Sequence, residues 1–433
     1  MAVSEPRRIG LGLLGCGHVG SAVARLLHAH AEDIVQRAGA RLEIVKVAVR
    51  NAALAREVPL PAERFTADAA SVVSDPDVEI VVEVMGGVEP ARSLLLQAIT
   101  GGKHVVTANK ELVSTLGREL FEAADAARVD LYFEGAVGGG IPLIHPLKES
   151  LAGERVATVL GIVNGTTNYV LTRMSEDQLS FEEALGQAER LGYAERDPSD
   201  DIEGADAAAK CAILASVAFN TAVVAGDVYR EGIARVTAED IAFAARLGYV
   251  IKLLAIAELE DGEVAVRVHP AMIPTDHPLA AVRDTFNAVF VQGPTVGELM
   301  FYGRGAGGGP TATAVVGDVV DVARNLLSGA RGVPSTTYLD RPLRPMERME
   351  GQYYLLLDVV DRPGVLAQVA GAFGRHAVSI KSVWQEGFGD EALLVMITHR
   401  ANEGALQRTV RDLRDLEVVA EVRSVMRVEG AEP

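Results

Sequence analysis

The chain is poor in the residues that cross-link or anchor a protein. It has two cysteines, Cys16 and Cys211, and one tryptophan among 433 residues. Two thiols, one inside a glycine turn and one in an alanine-rich run, exclude a disulfide framework. Neither shows the base or electropositive setting of a nucleophilic thiol, so small packing roles are expected for both. Positive charge is scarce as well: 41 Lys and Arg against 59 Asp and Glu leave a formal net charge of −18. That balance counts against nucleic acid or an anionic membrane as a partner. Apolar runs are short and broken by charges, so none spans a bilayer. The opening MAVSEPRRIG lacks the apolar core of a signal peptide, and the expectation is a cytoplasmic protein. Hydrophobic residues still make up 49%, enough for the two or three cores that this length requires.

The first patterned stretch is RIGLGLL at Arg8–Leu14, a buried strand, then GCGHVG and the apolar-periodic SAVARLLHAHAEDIV. Gly15, Gly17 and Gly20, with His18 and Val19 between them, form a strand, tight turn and helix. Such a turn lets backbone amides approach a pyrophosphate at a helix N-terminus. The second strand, LEIVKVAV, ends in Arg50-Asn51 rather than in an acid. A carboxylate there would hold a ribose 2′-hydroxyl, whereas arginine accommodates a 2′-phosphate. The lean is therefore to NADP, with NAD kept open and a solvated strand end as the plain alternative. Further strands lead to Gly86, to Lys110 and to Glu134, and the alternation with helices indicates a doubly wound parallel sheet. Ligands in such sheets sit at the C-terminal strand ends.

The densest chemistry lies in AERLGYAERDPSDDIEGADAAAK, Ala188 to Lys210. Gly192, Pro198, Ser199 and Gly204 break any regular period. Six acids crowd the loop, among them Glu195, Asp201 and Asp206, before the single Lys210. Asp206 and Lys210 open an alanine-rich helix and, four residues apart, share one of its faces. A lysine among acids beside an apolar helix can carry a proton while the acids grip a cationic group. The bland alternative is a solvated acidic loop with a surface ion pair.

Around this loop, Pro142 is placed to open a helix (PLIHPLKESLAG), and Ser180 with Glu183 forms a capping box for FEEALGQAERL. NGTTNY at Asn164–Tyr169 is a turn of hydroxyls and amides that either caps a helix or meets a polar ligand. Val264 to His269 and Ala288 to Gln292 read as strands, and His269 as structural. FYGRGAGGGP, Phe301 to Pro310, is a second glycine loop before a helix. Residues 329–351 mix Pro, Gly and charge like a linker. Beyond them the order strand, D-R-P-G turn, helix, strand, strand, helix, strand makes a βαββαβ ferredoxin-like unit.

Gly192, Tyr193, Asp197-Pro198, Asp201, Gly204, Asp206 and Lys210 together resemble the signature of homoserine dehydrogenases. So do Thr107–Lys110 (TANK), the loop from Glu134 to Pro142, and NGTTNY. The D-R-P-G-V-L turn looks like that of ACT regulatory domains. The resemblance covers the whole chain. It implies a Rossmann-type nucleotide domain over 1–140 plus 310–328 and an α+β substrate and dimerisation domain with a mixed sheet over 141–309. After the linker, 352–433 would be the ACT domain. The reaction implied is reversible reduction of L-aspartate 4-semialdehyde to L-homoserine, toward threonine, methionine and isoleucine. By the same resemblance Lys210 is the general acid, oriented by Asp206, and Lys110 contacts cofactor and substrate. Glu195 and Asp201 bind the substrate ammonium, Tyr193 shapes or bonds it, and Gly305 touches the cofactor. A monovalent cation, sodium, would be held at Glu134, Val137, Gly139 and Ile141, through the carboxylate side and backbone carbonyls. An amino-acid effector, threonine, and a homodimer or homotetramer complete the expectation. Two rival readings remain: a non-catalytic amino-acid sensor, and another ACT-bearing dehydrogenase. The second lacks the catalytic His or nucleophilic Cys its chemistry needs.

Overall fold

The computed structural model describes residues 6–334, 339–388 and 390–430. The chain packs as two compact units. The first comprises Met1–Val159, Ala209–Val228 and Asn287–Arg341; the second comprises Leu160–Ala208, Tyr229–Phe286 and Pro342–Pro433.

In chain order the first elements are β1 (Arg7–Leu14), α1 (His18–Ala29), α2 (Ala31–Ala38), β2 (Ala40–Ala48), β3 (Phe65–Thr66) and α3 (Ala70–Val73). They continue with β4 (Ile80–Glu83), α4 (Ala91–Thr100), β5 (His104–Thr107), α5 (Lys110–Ala127) and β6 (Leu131–Tyr132). All six strands run parallel in the order β3-β2-β1-β4-β5-β6. The order reverses between β1 and β4, the point at which such sheets open a crevice for a ligand. β1 and β4 read as unbroken apolar runs because helices cover both faces of a parallel sheet. Ile9, Leu11, Leu13 and Val82 are fully buried with Val23 of α1.

Next come β7 (Thr158–Ile162), α6 (Gly165–Glu176), α7 (Phe181–Leu191), α8 (Ser199–Ile202), α9 (Ala205–Phe219), β8 (Tyr229–Arg230) and α10 (Ala238–Arg246). Then follow β9 (Tyr249–Glu260), β10 (Glu263–Pro274), β11 (Phe286–Gly293), β12 (Gly297–Arg304) and α11 (Gly308–Ser328). In the first unit α11 packs on the sheet, adding Val315 and Val319 to its core, and β11 pairs with β12. The last elements are β13 (Glu350–Val360), α12 (Val365–Arg375), β14 (Ile380–Phe388), β15 (Glu391–Thr398), β16 (Ala401–Asn402), α13 (Glu403–Arg414) and β17 (Val419–Val428).

The second unit is built on the strand order β7-β9-β10-β17-β13-β15-β14. The C-terminal strands take the ferredoxin-like order expected, with α12 and α13 burying Val369, Phe373, Leu406 and Val410 against them. Their sheet is not a separate module, because β17 pairs parallel with β10 at Ala271–Arg427 and Met272–Val428. The β10 strand also forms a long antiparallel hairpin with β9.

The structure differs from the sequence reading in three places. β9, YVIKLLAIAELE, was not anticipated; its near-continuous apolar run has no alternation to betray a strand. Phe301–Arg304 belong to β12, so the second glycine loop shrinks to Gly305–Gly307 and Pro310 lies in the first turn of α11. The helix expected from Pro142 is a short wide turn over Pro146–Ser150, because Pro146 donates no hydrogen bond and a buried carboxylate captures the amides before it. Of the linker expected at 329–351, residues 335–338 lie outside the described residues and Glu350 already belongs to β13. The rest is tied down. Arg341 N donates to Leu339 O and Thr221 Oγ1 in the first unit, and Arg344 N donates to Val264 O in the second. Among the described residues no helix is long and apolar enough to cross a membrane.

Candidate active site

The glycine turn after β1 is shaped by three different constraints. Gly15 has φ +100°, and a Cβ there would lie 2.8 Å from Val84 O. A Cβ on Gly20 would lie 2.3 Å from Gly15 O, so only glycine lets α1 fold back on the turn. Gly17 faces open space, with nothing within 4 Å of an added Cβ. α1 starts at His18 with no side-chain cap, which leaves its first amides for an anion. The His18 carbonyl is 2.9 Å from where a Gly308 Cβ would sit, so α11 begins against the same turn. Arg50 is exposed at the end of β2 and has no carboxylate partner among the described residues.

Glu83, which sequence reasoning missed, organises the neighbouring strand ends. It is fully buried at the end of β4 and accepts hydrogen bonds from Met85 N (2.7 Å), Gly86 N (3.2 Å) and Thr107 Oγ1 (2.6 Å). Burial pushes its carboxyl above the ordinary range, while these donors oppose the shift. Asn109 caps α5 by accepting Leu112 N and donates to Gly87 O at 2.7 Å. An acid closing the apolar strand EIVVEV was the available signal. Together these bonds hold Gly86 and Lys110 at adjacent strand ends.

Within the first unit a cavity of about 300 Å³ opens there, lined by Val19, Gly86, Lys110, Gly139, Lys210 and Gly305 among others. Six expected residues from six stretches of chain thus share one cavity, and no carboxylate lines it among the described residues. Five of its lining residues are glycines, which bring the backbone to the wall. Gly139 has φ +56°, and a Cβ there would lie 2.6 Å from Gly305 C, while a Cβ on Gly305 would lie 2.1 Å from the Asn287 side chain. Lys210 is 8% exposed, on the second turn of α9.

The second unit holds the acids. Asp206 is buried in the first turn of α9, and Asp201 is half-buried on α8. Asn164 joins them: its Nδ2 donates to Asp201 Oδ1 (2.6 Å) and Asp206 Oδ2 (2.8 Å). Its Oδ1 accepts Thr167 N at 2.8 Å and so caps α6. The NGTTNY turn therefore caps a helix and orders two carboxylates at once, a bridging role that the sequence did not reveal for Asn164. Asn168 is structural: it donates to Asp284 O and Phe286 O and accepts Lys252 Nζ at 3.0 Å. Glu195 is exposed, and Tyr193 is 47% exposed with its ring 5.1 Å from that of Tyr169. The Ser180–Glu183 capping box forms as read, and Gly192 ends α7 at φ 76°.

In the loop expected to hold a cation, the Glu134 carboxylate accepts three main-chain amides: Oε1 from Leu143 N and Ile144 N (2.9 Å), and Oε2 from His145 N (2.8 Å). These charge-assisted bonds fix the carboxylate beside the loop. The backbone carbonyls of Val137, Gly139 and Ile141 accept no backbone hydrogen bond among the described residues. A ring of such oxygens suits a hard monovalent cation. Glu134, His145 and Asp318 also cluster within metal-ligand spacing. His145, however, lies between Asp318 (3.2 Å) and Asp321 (3.5 Å), and the Asp318 carboxylate pushes it up to about 9. These contacts tie His145 to α11.

Three sequence comparisons bear on this architecture. Residues 15–134 match the family model described as homoserine dehydrogenase, NAD binding domain, and residues 142–320 match homoserine dehydrogenase. Residues 353–418 match the ACT domain. A homoserine dehydrogenase of Mycobacterium tuberculosis is 50% identical over 98% of this chain and 99% of its own.

The chain belongs to the homoserine dehydrogenase family.

A crystal structure of a homoserine dehydrogenase from Thiobacillus denitrificans superposes with a TM-score of 0.93, at 41% identity and 99% coverage of both chains. A hyperthermophilic archaeal homoserine dehydrogenase solved in complex with NADPH is 26% identical, with a TM-score of 0.61, and covers 73% of this chain and 97% of its own. Family membership makes the protein an oxidoreductase with a nicotinamide-dinucleotide domain and an ACT domain.

Proposed function

We propose that the protein is an NADP-dependent homoserine dehydrogenase in which Lys210 is the general acid. The observation that carries this reading is Lys110 and Lys210 lining one cavity with Gly86 and Gly305, beside the glycine turn. A bound nicotinamide dinucleotide supplies or takes the hydride. As a hydride reaches the aldehyde carbon of L-aspartate 4-semialdehyde, negative charge develops on the carbonyl oxygen. Lys210 Nζ donates a proton to that oxygen and completes the alcohol; the reverse reaction returns both. Lys110 holds positive charge near the reacting oxygen or the substrate carboxylate. Asp206, one turn before Lys210, orients it, and Asp201 with Glu195 binds the substrate ammonium. Tyr193 borders that ammonium site.

The same reading extends to the ligands. Gly15, Gly17, His18, Val19 and Gly20 hold the pyrophosphate, and Arg50 takes the 2′-phosphate, favoured by the absence of any acid from 49 to 56. Glu134, through its carboxylate side, and the backbone carbonyls of Val137, Gly139 and Ile141 hold a sodium ion that stiffens the loop beside Gly305. The ACT domain takes an amino-acid effector, threonine, that feeds back on the enzyme of its own biosynthesis. Exposed Met300 and Tyr302 on β12 favour a homodimer or homotetramer.

The test is NADPH absorbance decay on adding aspartate 4-semialdehyde, with wild type beside Lys210→Ala. Turnover in the wild type and a loss of about a thousandfold in the variant, with an intact circular-dichroism spectrum, is expected. Absence of wild-type turnover with NADPH and NADH, in sodium and in potassium, would refute the activity. Turnover that survives the substitution would refute the role of Lys210.

A further inference from the structure

A second, larger cavity lies wholly within the second unit and belongs to none of the roles above. It has a volume of about 720 Å³, within the range of sites that enclose metabolites. One wall is α13 and β17; the other is the end of α8, β8 and the segment up to Val236. Five arginines and three glutamates line it.

Their pairing leaves a surplus. Arg427 is 7% exposed and spends its fork on two of the glutamates, bidentate to Glu403 (2.9 and 3.0 Å) and singly to Glu231 (2.9 Å). Arg423 is tied to Asp358 and Glu239, neither of which lines the cavity. Arg230, Arg235 and Arg414 have no carboxylate partner among the described residues, and against them stands only Glu203. In a chain of net charge −18, three guanidinium groups facing one hollow are an exception that needs a counter-charge.

The wall that carries two of them is not free to collapse away. Glu231 N donates to Val268 O at 2.7 Å and Ile233 N to Ile202 O at 2.9 Å. A Cβ on Gly232 would lie 2.2 Å from Ile202 O, so this segment is pressed onto the end of α8. On the opposite wall, the buried Arg427–Glu403 pair fixes β17 to α13. Both walls that carry the three arginines are thus fixed at the main chain or by a buried ion pair.

We propose that this cavity is a second ligand site, and that it takes a small anion carrying at least two negative charges on carboxylate or phosphate groups. Arg230, Arg235 and Arg414 bind it by paired N–H donors, the geometry in which guanidinium exceeds ammonium as an anion receptor. A neutral zwitterion such as threonine offers one carboxylate and leaves the surplus standing. The site is therefore distinct in chemistry from the amino-acid effector site proposed above, and it holds whether or not the dehydrogenase reading does.

The experiment is calorimetric titration of the full chain, without substrate or dinucleotide, at fixed ionic strength. Pyrophosphate and citrate are the two probes, and L-threonine is the zwitterionic control. Saturable binding of at least one probe with Kd below about 1 mM is expected. An Arg235→Ala/Arg414→Ala double variant should weaken it at least about tenfold without moving the thermal midpoint, since both side chains are exposed. Pyrophosphate binding that the double variant weakens, without citrate binding, assigns the site to phosphates, and citrate binding that it weakens, without pyrophosphate binding of that kind, assigns it to carboxylates. No saturable heat from either probe, or equal affinity in the double variant, would overturn the proposal. An Arg235→Lys/Arg414→Lys variant separates fork from charge: affinity intermediate between wild type and the alanine pair supports paired donors.

Discussion

The two cavities differ in what their walls are made of. The 300 Å³ cavity is lined by five glycines and two lysines, whereas the 720 Å³ cavity is lined by five arginines and three glutamates among apolar residues. A backbone wall presents amides and carbonyls that cannot rotate away, which suits one ligand held in one pose. A side-chain wall can adapt its shape, but it loses charge with each residue that is trimmed. The acid cluster around Asn164 differs from both: side chains make it, Asn164 and Asp206 buried and Asp201 half-buried, and hydrogen bonds join them.

That contrast predicts where a single methyl matters. Of the substitutions Gly20→Ala, Asn164→Ala and Arg50→Ala, the first carries the largest expected effect, since its Cβ would meet Gly15 O at 2.3 Å. A loss of about 3 kcal/mol in stability, read from denaturant midpoints, is expected together with lost dinucleotide binding. A Gly20→Ala protein of wild-type stability would contradict a wall made of fixed backbone. Asn164→Ala comes next. It removes the shared donor from two carboxylates and the cap from α6, at a cost of about 2 kcal/mol. KM for the semialdehyde should rise with KM for the dinucleotide unchanged; an equal rise in both would remove Asn164 from the substrate side.

Arg50→Ala should leave the fold alone and raise KM for NADPH about tenfold while sparing NADH. Equal effects on both dinucleotides would mean that Arg50 does not read the 2′-phosphate. The smallest effect is a pH slope from Lys252, which burial lowers to about 8 from 10.5. The folded state disfavours its charge, so the penalty is fully present below pH 8 and is relieved as pH rises toward 10.5. Wild type should therefore gain about 1 kcal/mol relative to Lys252→Met between pH 8 and 9. Parallel pH profiles for the two proteins would show that Lys252 titrates normally.

The first unit was legible because its chemistry is local. A glycine turn, an arginine at a strand end and a lysine opening a helix are each complete within about six residues, and strand–helix alternation orders them. Glu83 escaped because nothing in EIVVEV says that its carboxylate turns back to bond Gly86 and reach Thr107 on the next strand. The amides that bond the Glu134 carboxylate, Leu143 to His145, escaped because main-chain donors carry no residue signature.

By itself the sequence determined the two βα patterns, the capping box, the helix face shared by Asp206 and Lys210, and the family signature. All depend on neighbours along the chain, where periodicity and φ preference act. Tertiary structure alone decided that β17 extends the sheet through β10, that Asn164 bridges two acids 37 and 42 residues away, and that Arg230, Arg235 and Arg414 face one hollow. Those outcomes are set by which distant surfaces bury each other, and charge left over from that packing has no pattern in the linear chain.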